Sequence, residues 1–160
     1  MNTFDRAVDF ILRFEGEHSD DPHDSGGDTW YGLSRRAHPT LEPWPPTRSQ
    51  AVELYRELYW NRSKCNELPT ALAMIVFDSA VNQGATAAAR LLQKSLGVRP
   101  DGVIGPETIA VAHRASLHSV VAEFIAQRAY QYSLHPEAER YGLGWFRRLS
   151  ACHQISLEPL

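Results

Sequence analysis

The sequence predicts a mainly α-helical fold in two lobes, with at most a short β-hairpin near residues 29–33. Three observations predict it. Apolar residues recur at helical spacing in one segment after another, enough for seven or so helices. Cap and stop signals bracket those segments. The chain has 160 residues, 43% hydrophobic and 22% charged, which suits one soluble domain with a proper core.

Taken in order, Phe4, Ala7, Val8, Ile11 and Leu12 form the first apolar stripe, and Gly16 follows as a helix stop. Residues 17–34 form a polar loop with the turn signals Asp21-Pro22 and Gly26-Gly27. Pro39, Pro43, Pro45 and Pro46 make an irregular stretch around Trp44, read either as a surface loop pinned by that ring or as a lip of a cleft. Thr47-Arg48-Ser49-Gln50 reads as a capping box, opening a helix that carries Val52, Tyr55, Leu58 and Tyr59. Leu68-Pro69 opens a nearly all-round apolar helix, and hence a central one, with Asp78 and Asn82 along one edge. Thr86 is the expected cap of a helix through Leu91, Leu92 and Leu96, stopped by Gly97. Asp101-Gly102 marks a turn, and Gly105-Pro106 opens the next helix. Two helices complete the chain. One runs from about 119 to 133 with Val120, Val121, Phe124, Ile125 and Arg128, the other from about 136 to 152 with Tyr141, Trp145, Phe146 and Leu149. The last eight residues are expected to fray.

The chemistry concentrates in residues 14–34. Continuing the first stripe brings Glu15 onto the core-facing side. Burial disfavours an ionised carboxylate, and a carboxyl that stays protonated near neutral pH is what a general acid needs. The alternative is a Glu15 at the rim of the stripe, in water or paired with Arg13 or Arg36. Asp24 follows nine positions later and Thr29 five after that. Two carboxylates flanking a cleft, one protonated and one ionised, are the apparatus of glycosidic bond cleavage. A separation of about 6.5–9.5 Å suits direct attack by water with inversion, and about 5 Å suits retention. Tyr31, Tyr59 and Trp60 are candidate sugar-stacking walls, although an aromatic pair at a helix end also serves as core. Asp78 and Asn82, on a central helix, are read either as cleft floor or as structural hydrogen bonders to the Glu15 loop.

The pattern Glu15-Gly16, Asp21-Pro22, Asp24, Gly26-Gly27, Thr29 and Gly32-Leu33-Ser34 resembles the signature of glycoside hydrolase family 108, lysozyme-like N-acetylmuramidases of phage endolysins and secretion-associated enzymes. Phe77-Asp78-Ser79-Ala80-Val81-Asn82-Gln83-Gly84 resembles the same family. The resemblance implies a lysozyme-like fold, Glu15 as catalytic acid and Asp24 as the best match for a second carboxylate, with Thr29 as its helper. It also implies a catalytic region over 1–92 and a helical peptidoglycan-binding region over 93–160, packed as one unit. The sequence departs from the family at Glu17-His18, where Gly-Tyr is usual, at Asp20, where Asn precedes Asp-Pro, and at Trp30, where Asn often follows the Thr.

The net charge of −3 argues against nucleic acid as a partner. The longest apolar run, Ala71–Phe77, is too short to cross a bilayer. Asp5, Arg6 and Asp9 within an amphipathic pattern do not read as a signal peptide. Cys65 and Cys152 are expected as free thiols, or as a pair in an oxidising space. His18, His23, Asp20, Asp21 and Asp24 lack tight metal-ligand spacing, and neither metal nor cofactor is expected. The expected substrate is peptidoglycan, cut by a monomer made in the cytoplasm and acting in the periplasm through a holin or another export route. The other classes left open are a lytic transglycosylase and a non-catalytic wall-binding or secretion-accessory protein.

Overall fold

The computed structural model describes residues 2–19 and 28–159. Helix α1, Thr3–Glu15, opens on a capping box: the Asn2 side chain accepts from the Asp5 amide, and the Asp5 carboxylate accepts from the Asn2 amide. It buries Phe4, Ala7, Val8, Phe10 and Ile11, and ends at Gly16, whose φ of 74° suits a residue without Cβ.

Three two-residue strands follow: β1, His18–Ser19; β2, Thr29–Trp30; and β3, Leu33–Ser34. They form an antiparallel sheet in the order β1-β2-β3. The expected hairpin is β2–β3, and β1 is an edge strand the sequence did not announce. Trp30 pairs with Leu33, leaving Tyr31-Gly32 as a two-residue loop. Both loop residues have positive φ, 52° and 77°, the combination that matches the twist of the flanking strands.

Helix α2, Arg48–Tyr55, starts at the expected Thr47/Gln50 capping box. It runs on into a π-helical stretch, Arg56–Asn61, and then a 3-10 turn, Cys65–Glu67. Helix α3, Thr70–Gln83, is buried without interruption from Ala71 to Ala80. It is the centre of the fold, packing against α1 and against three later helices: α4, Ala85–Leu96; α6, Leu117–Ser133; and α7, Ala138–Leu157. The rings of Phe4 and Phe77 each lie 5.3 Å from that of Trp60, edge to face. Truncating such a buried ring costs about 3–5 kcal/mol.

The turn after α4 is built on a buried glutamine. Gln93 Nε2 donates to Asp101 Oδ1 at 2.7 Å and to the Val103 carbonyl at 2.9 Å, while its Oε1 accepts from the Gly102 amide at 2.8 Å. A Cβ on Gly102 would lie 2.8 Å from Thr86 Cγ2. The short helix α5, Pro106–Ala112, then opens with Pro106 at its first position, as expected.

Two boundaries differ from expectation. Gly84, not Thr86, sits at the cap of α4. Helix α7 runs five residues past Cys152 to Leu157, because Arg6 binds its far end: Nη1 donates to the carbonyls of Glu158 and Pro159, and Nη2 pairs with the Glu158 carboxylate. Cys65 and Cys152 are free and buried. Among the described residues no helix is long and apolar enough to cross a membrane.

Candidate active site

Glu15 is the last residue of α1. The helix carries it to the edge of the core, where its side chain is 25% exposed. It is paired with neither Arg13 nor Arg36 in the described residues. Its Oε1 accepts instead from Arg148 Nη1 at 2.7 Å. Arg148 comes from α7, 133 positions later in the sequence. The same guanidinium donates from Nε to Asp78 Oδ1 at 2.8 Å. The other oxygen of Asp78 accepts from Arg128 Nη1 at 2.5 Å, and Arg128 Nη2 donates to the Tyr132 hydroxyl at 2.8 Å. Carboxyl and guanidinium groups alternate along Glu15, Arg148, Asp78 and Arg128.

Burial sets the roles within this chain. The Asp78 and Arg128 side chains are 1% and 0% exposed, and Arg148 is 11% exposed. A buried ion pair is tolerable only when its hydrogen-bonding capacity is filled, and Asp78 gives one oxygen to each arginine. Desolvation works against the Arg148 charge, but the Asp78 and Glu15 carboxylates outweigh it and hold the guanidinium above its ordinary value. The same balance, with Asp78 as the main carboxylate, holds Arg128 charged. Because Arg148 is shared with Asp78, its charge is divided between two acids.

The β2–β3 loop closes the other side of Glu15. A Cβ on Gly32 would lie 2.8 Å from Glu15 Cγ and 2.5 Å from the Tyr55 hydroxyl, so only a glycine lets the loop approach this closely. Tyr55 donates its hydroxyl to the Tyr31 carbonyl at 2.8 Å, tying α2 to the loop. Burial pushes the Tyr55 and Tyr59 phenols up, and the Glu15 charge pushes them further the same way. Both rings therefore lie within electrostatic reach of the acid. A cavity of about 440 Å³ beside the end of α1 is lined by Leu12, Gly16, Glu17 and Tyr31 among others, and Glu15 is not part of its lining.

The structure sorts the remaining sequence candidates. Thr29 lies in β2, opposite Ser34 and Ser19, half-buried. Tyr31 and Tyr59 are half-buried, Tyr31 on the cavity and Tyr59 near Glu15. Trp60, expected as a sugar-stacking wall, is instead core: it is 1% exposed and its indole N–H donates to Asn66 Oδ1 at 2.7 Å. Asp78, read as cleft floor or as a hydrogen bonder to the Glu15 loop, is fully buried and bonds two arginines of α6 and α7 instead. Asn82 is exposed, and its Nδ2 bonds the Asp78 carbonyl one turn back rather than the loop after Glu15. Asp24, with the other loop candidates Asp20, Asp21 and His23, lies outside the described residues.

A second polar cluster holds the sheet to the proline-rich stretch. Trp44 donates its indole N–H to Asp28 Oδ2 at 2.6 Å, and the His18 ring bonds the other oxygen at 3.2 Å. The indole holds the Asp28 carboxyl below the usual aspartate value. Trp44 thus ties its loop to the sheet, but it is half-buried and not the core tryptophan that one of its two readings expected.

Residues 8–84 match the family model described as Glycosyl hydrolase 108. That segment, just under half of the chain, runs from within α1 to the end of α3 and contains Glu15, Thr29, Gly32, Tyr55 and Asp78. The structure of Brucella abortus SagA superposes with a TM-score of 0.86 at 29% identity, covering 97% of this chain and 94% of that one. The fold is mainly α and lysozyme-like, as expected. No match is found among curated proteins.

Sequence reasoning missed Arg148 and Tyr55 as neighbours of the acid. Arg128 did carry a signal: it is a cation on the apolar stripe of α6, just as Asp78 is an anion on the all-apolar α3, and a buried charge calls for an opposite one.

Proposed function

We propose that the chain is an N-acetylmuramidase, with Glu15 as the general acid that protonates the glycosidic oxygen between N-acetylmuramic acid and N-acetylglucosamine. The observation that carries this is the setting of Glu15: a half-buried carboxylate at a helix end, gripped on one side by Arg148 and crowded on the other by Gly32 and Tyr55, within the segment that matches a glycosyl hydrolase family. A general acid must present one oxygen in a fixed direction. Arg148 holds Oε1, and the proton travels on Oε2. Tyr59 and Tyr31 flank the approach, and Asp24 with Thr29 serves the oxocarbenium-like charge or a water on the far face. In this role the enzyme acts on the periplasmic wall, as an endolysin reaching it through a holin or another export route.

Digestion of purified peptidoglycan by wild type and Glu15→Gln, with mass spectrometry of released muropeptides, tests the assignment. Wild type is expected to yield reducing-end N-acetylmuramic acid, and the variant to lose on the order of 10² to 10⁴ in rate. Anhydro ends would make the enzyme a lytic transglycosylase. Wall binding with no release of sugar would make the protein a binding module.

A further inference from the structure

The connection between α6 and α7 gathers apolar surface that the core does not use. Of the seven large hydrophobic residues exposed among the described ones, five lie here: Tyr130, Leu134, Tyr141, Leu143 and Phe146. Within this surface three rings are organised around Trp145. Tyr132 lies 5.2 Å from it, His135 5.1 Å at 89°, and Tyr141 6.1 Å at 33°. Trp145 is half-buried among them and is therefore held in place rather than free to swing. Arg140 stands over the outer ring, Tyr141.

The position of the cluster gives it meaning. Tyr141, Trp145 and Arg148 are spaced i, i+4, i+7 on α7, which puts them in one row along one face. The row is ~10 Å long, and its last member holds the candidate acid. Tyr132 at its side is bonded to Arg128, in the same chain of charges. The aromatic row is therefore a continuation of the Glu15 site, not a separate patch. The ~5–6 Å step between helical i, i+4 neighbours is close to the length of one pyranose along a glycan. Sugar rings offer apolar faces to aromatic rings and hydroxyl edges to polar groups such as His135 and Arg140.

We propose that Trp145 and Tyr141, supported by Tyr132 and His135, form a glycan-binding subsite that extends the Glu15 cleft along α7 and takes sugar units of the peptidoglycan strand beyond the cleaved bond. The proposal rests on the muramidase reading, and it makes the C-terminal helix the part of the chain that senses strand length.

The test uses the full chain and soluble oligosaccharides of alternating N-acetylglucosamine and N-acetylmuramic acid, with two, four and six sugars. Binding is measured by calorimetry on Glu15→Gln, to prevent turnover, with and without Trp145→Ala or Tyr141→Ser. Affinity should rise with oligosaccharide length, and each added substitution should remove about tenfold of that rise. In parallel, the indole N–H resonance of Trp145, assigned by Trp145→Phe, should shift on titration of the parent protein with the six-sugar ligand, a result that stands even if Trp145→Ala fails to fold. Variants that fold and keep the full length dependence, with an unmoved Trp145 resonance, would overturn the proposal and leave the surface to a protein partner. If wild type cleaves peptidoglycan but shows no length dependence, the subsite alone fails. If it neither cleaves nor binds the oligosaccharides, the muramidase reading fails with it.

Discussion

Two polar clusters among the described residues reach into the core, and they are built on opposite plans. The first joins Glu15, Arg148, Asp78 and Arg128 across α1, α3, α6 and α7, with partners 50, 70 and 133 positions apart. The second joins Gln93 to Asp101, Val103 and Thr108, with no partner more than 15 positions away. The local cluster gathers backbone groups, one hydroxyl and one carboxylate around the buried Gln93 amide, and it fixes a turn. The long-range cluster is made of carboxyl and guanidinium groups, and it fixes where the Glu15 carboxyl points. Local polar bonds shape a chain, whereas long-range ones bring chemistry to a place.

The sharpest way to break the comparison is at Asp78. Asp78→Ala leaves two buried guanidiniums without their shared anion and should cost about 3–5 kcal/mol of stability, read by urea unfolding. A loss under 1 kcal/mol would mean that the charges are solvated and that the long-range cluster is not a unit.

Arg148→Met separates positioning from stability. It should lower kcat about 10²-fold with KM little changed, since a misplaced acid loses orientation rather than binding. Arg148→Lys should recover part of the rate, because it restores a cation but not the two-sided grip. A Met variant with wild-type kcat would reduce Arg148 to a packing residue.

On the other side of the comparison, Gln93→Ala should cost about 1–3 kcal/mol by leaving the buried Thr108 hydroxyl and the half-buried Gly102 amide without their partner. Muropeptide release at a temperature well below unfolding should be unchanged. A matching fall in activity would show that the turn, too, serves the site.

Gly32→Ala is the smallest change and touches both stability and rate. Its positive φ alone predicts a loss of about 1 kcal/mol or more. The new methyl would also press on Glu15 and the Tyr55 hydroxyl, so the rate should fall more than the stability predicts.

Most of the fold was legible, and the reason is visible in particular residues. The Thr47/Gln50 box, the Gly16 stop and the Gly105-Pro106 start act within a few residues, so their pattern and their cause lie together in the sequence. The site was half legible. Glu15 stood out because its place on an apolar stripe is a local fact. Its partner did not, because nothing near Arg148 says that α7 ends its path against α1. Trp60 went the other way: an aromatic pair at a helix end reads alike as wall or core, and only the position of Phe4 and Phe77 decides.

The separation of Glu15 from Arg148 also sets an order in time. A ribosome that has made residues 8–84 has made the acid, its glycine and its tyrosines, but not the arginine that aims it. The last helix must be synthesised, laid along α3 and fastened by Arg6 before the site is whole. A nascent chain cut short of α7 therefore carries the segment that matches the family model without the arginine that holds Glu15, and under the proposed function it would arm itself only once α7 is in place.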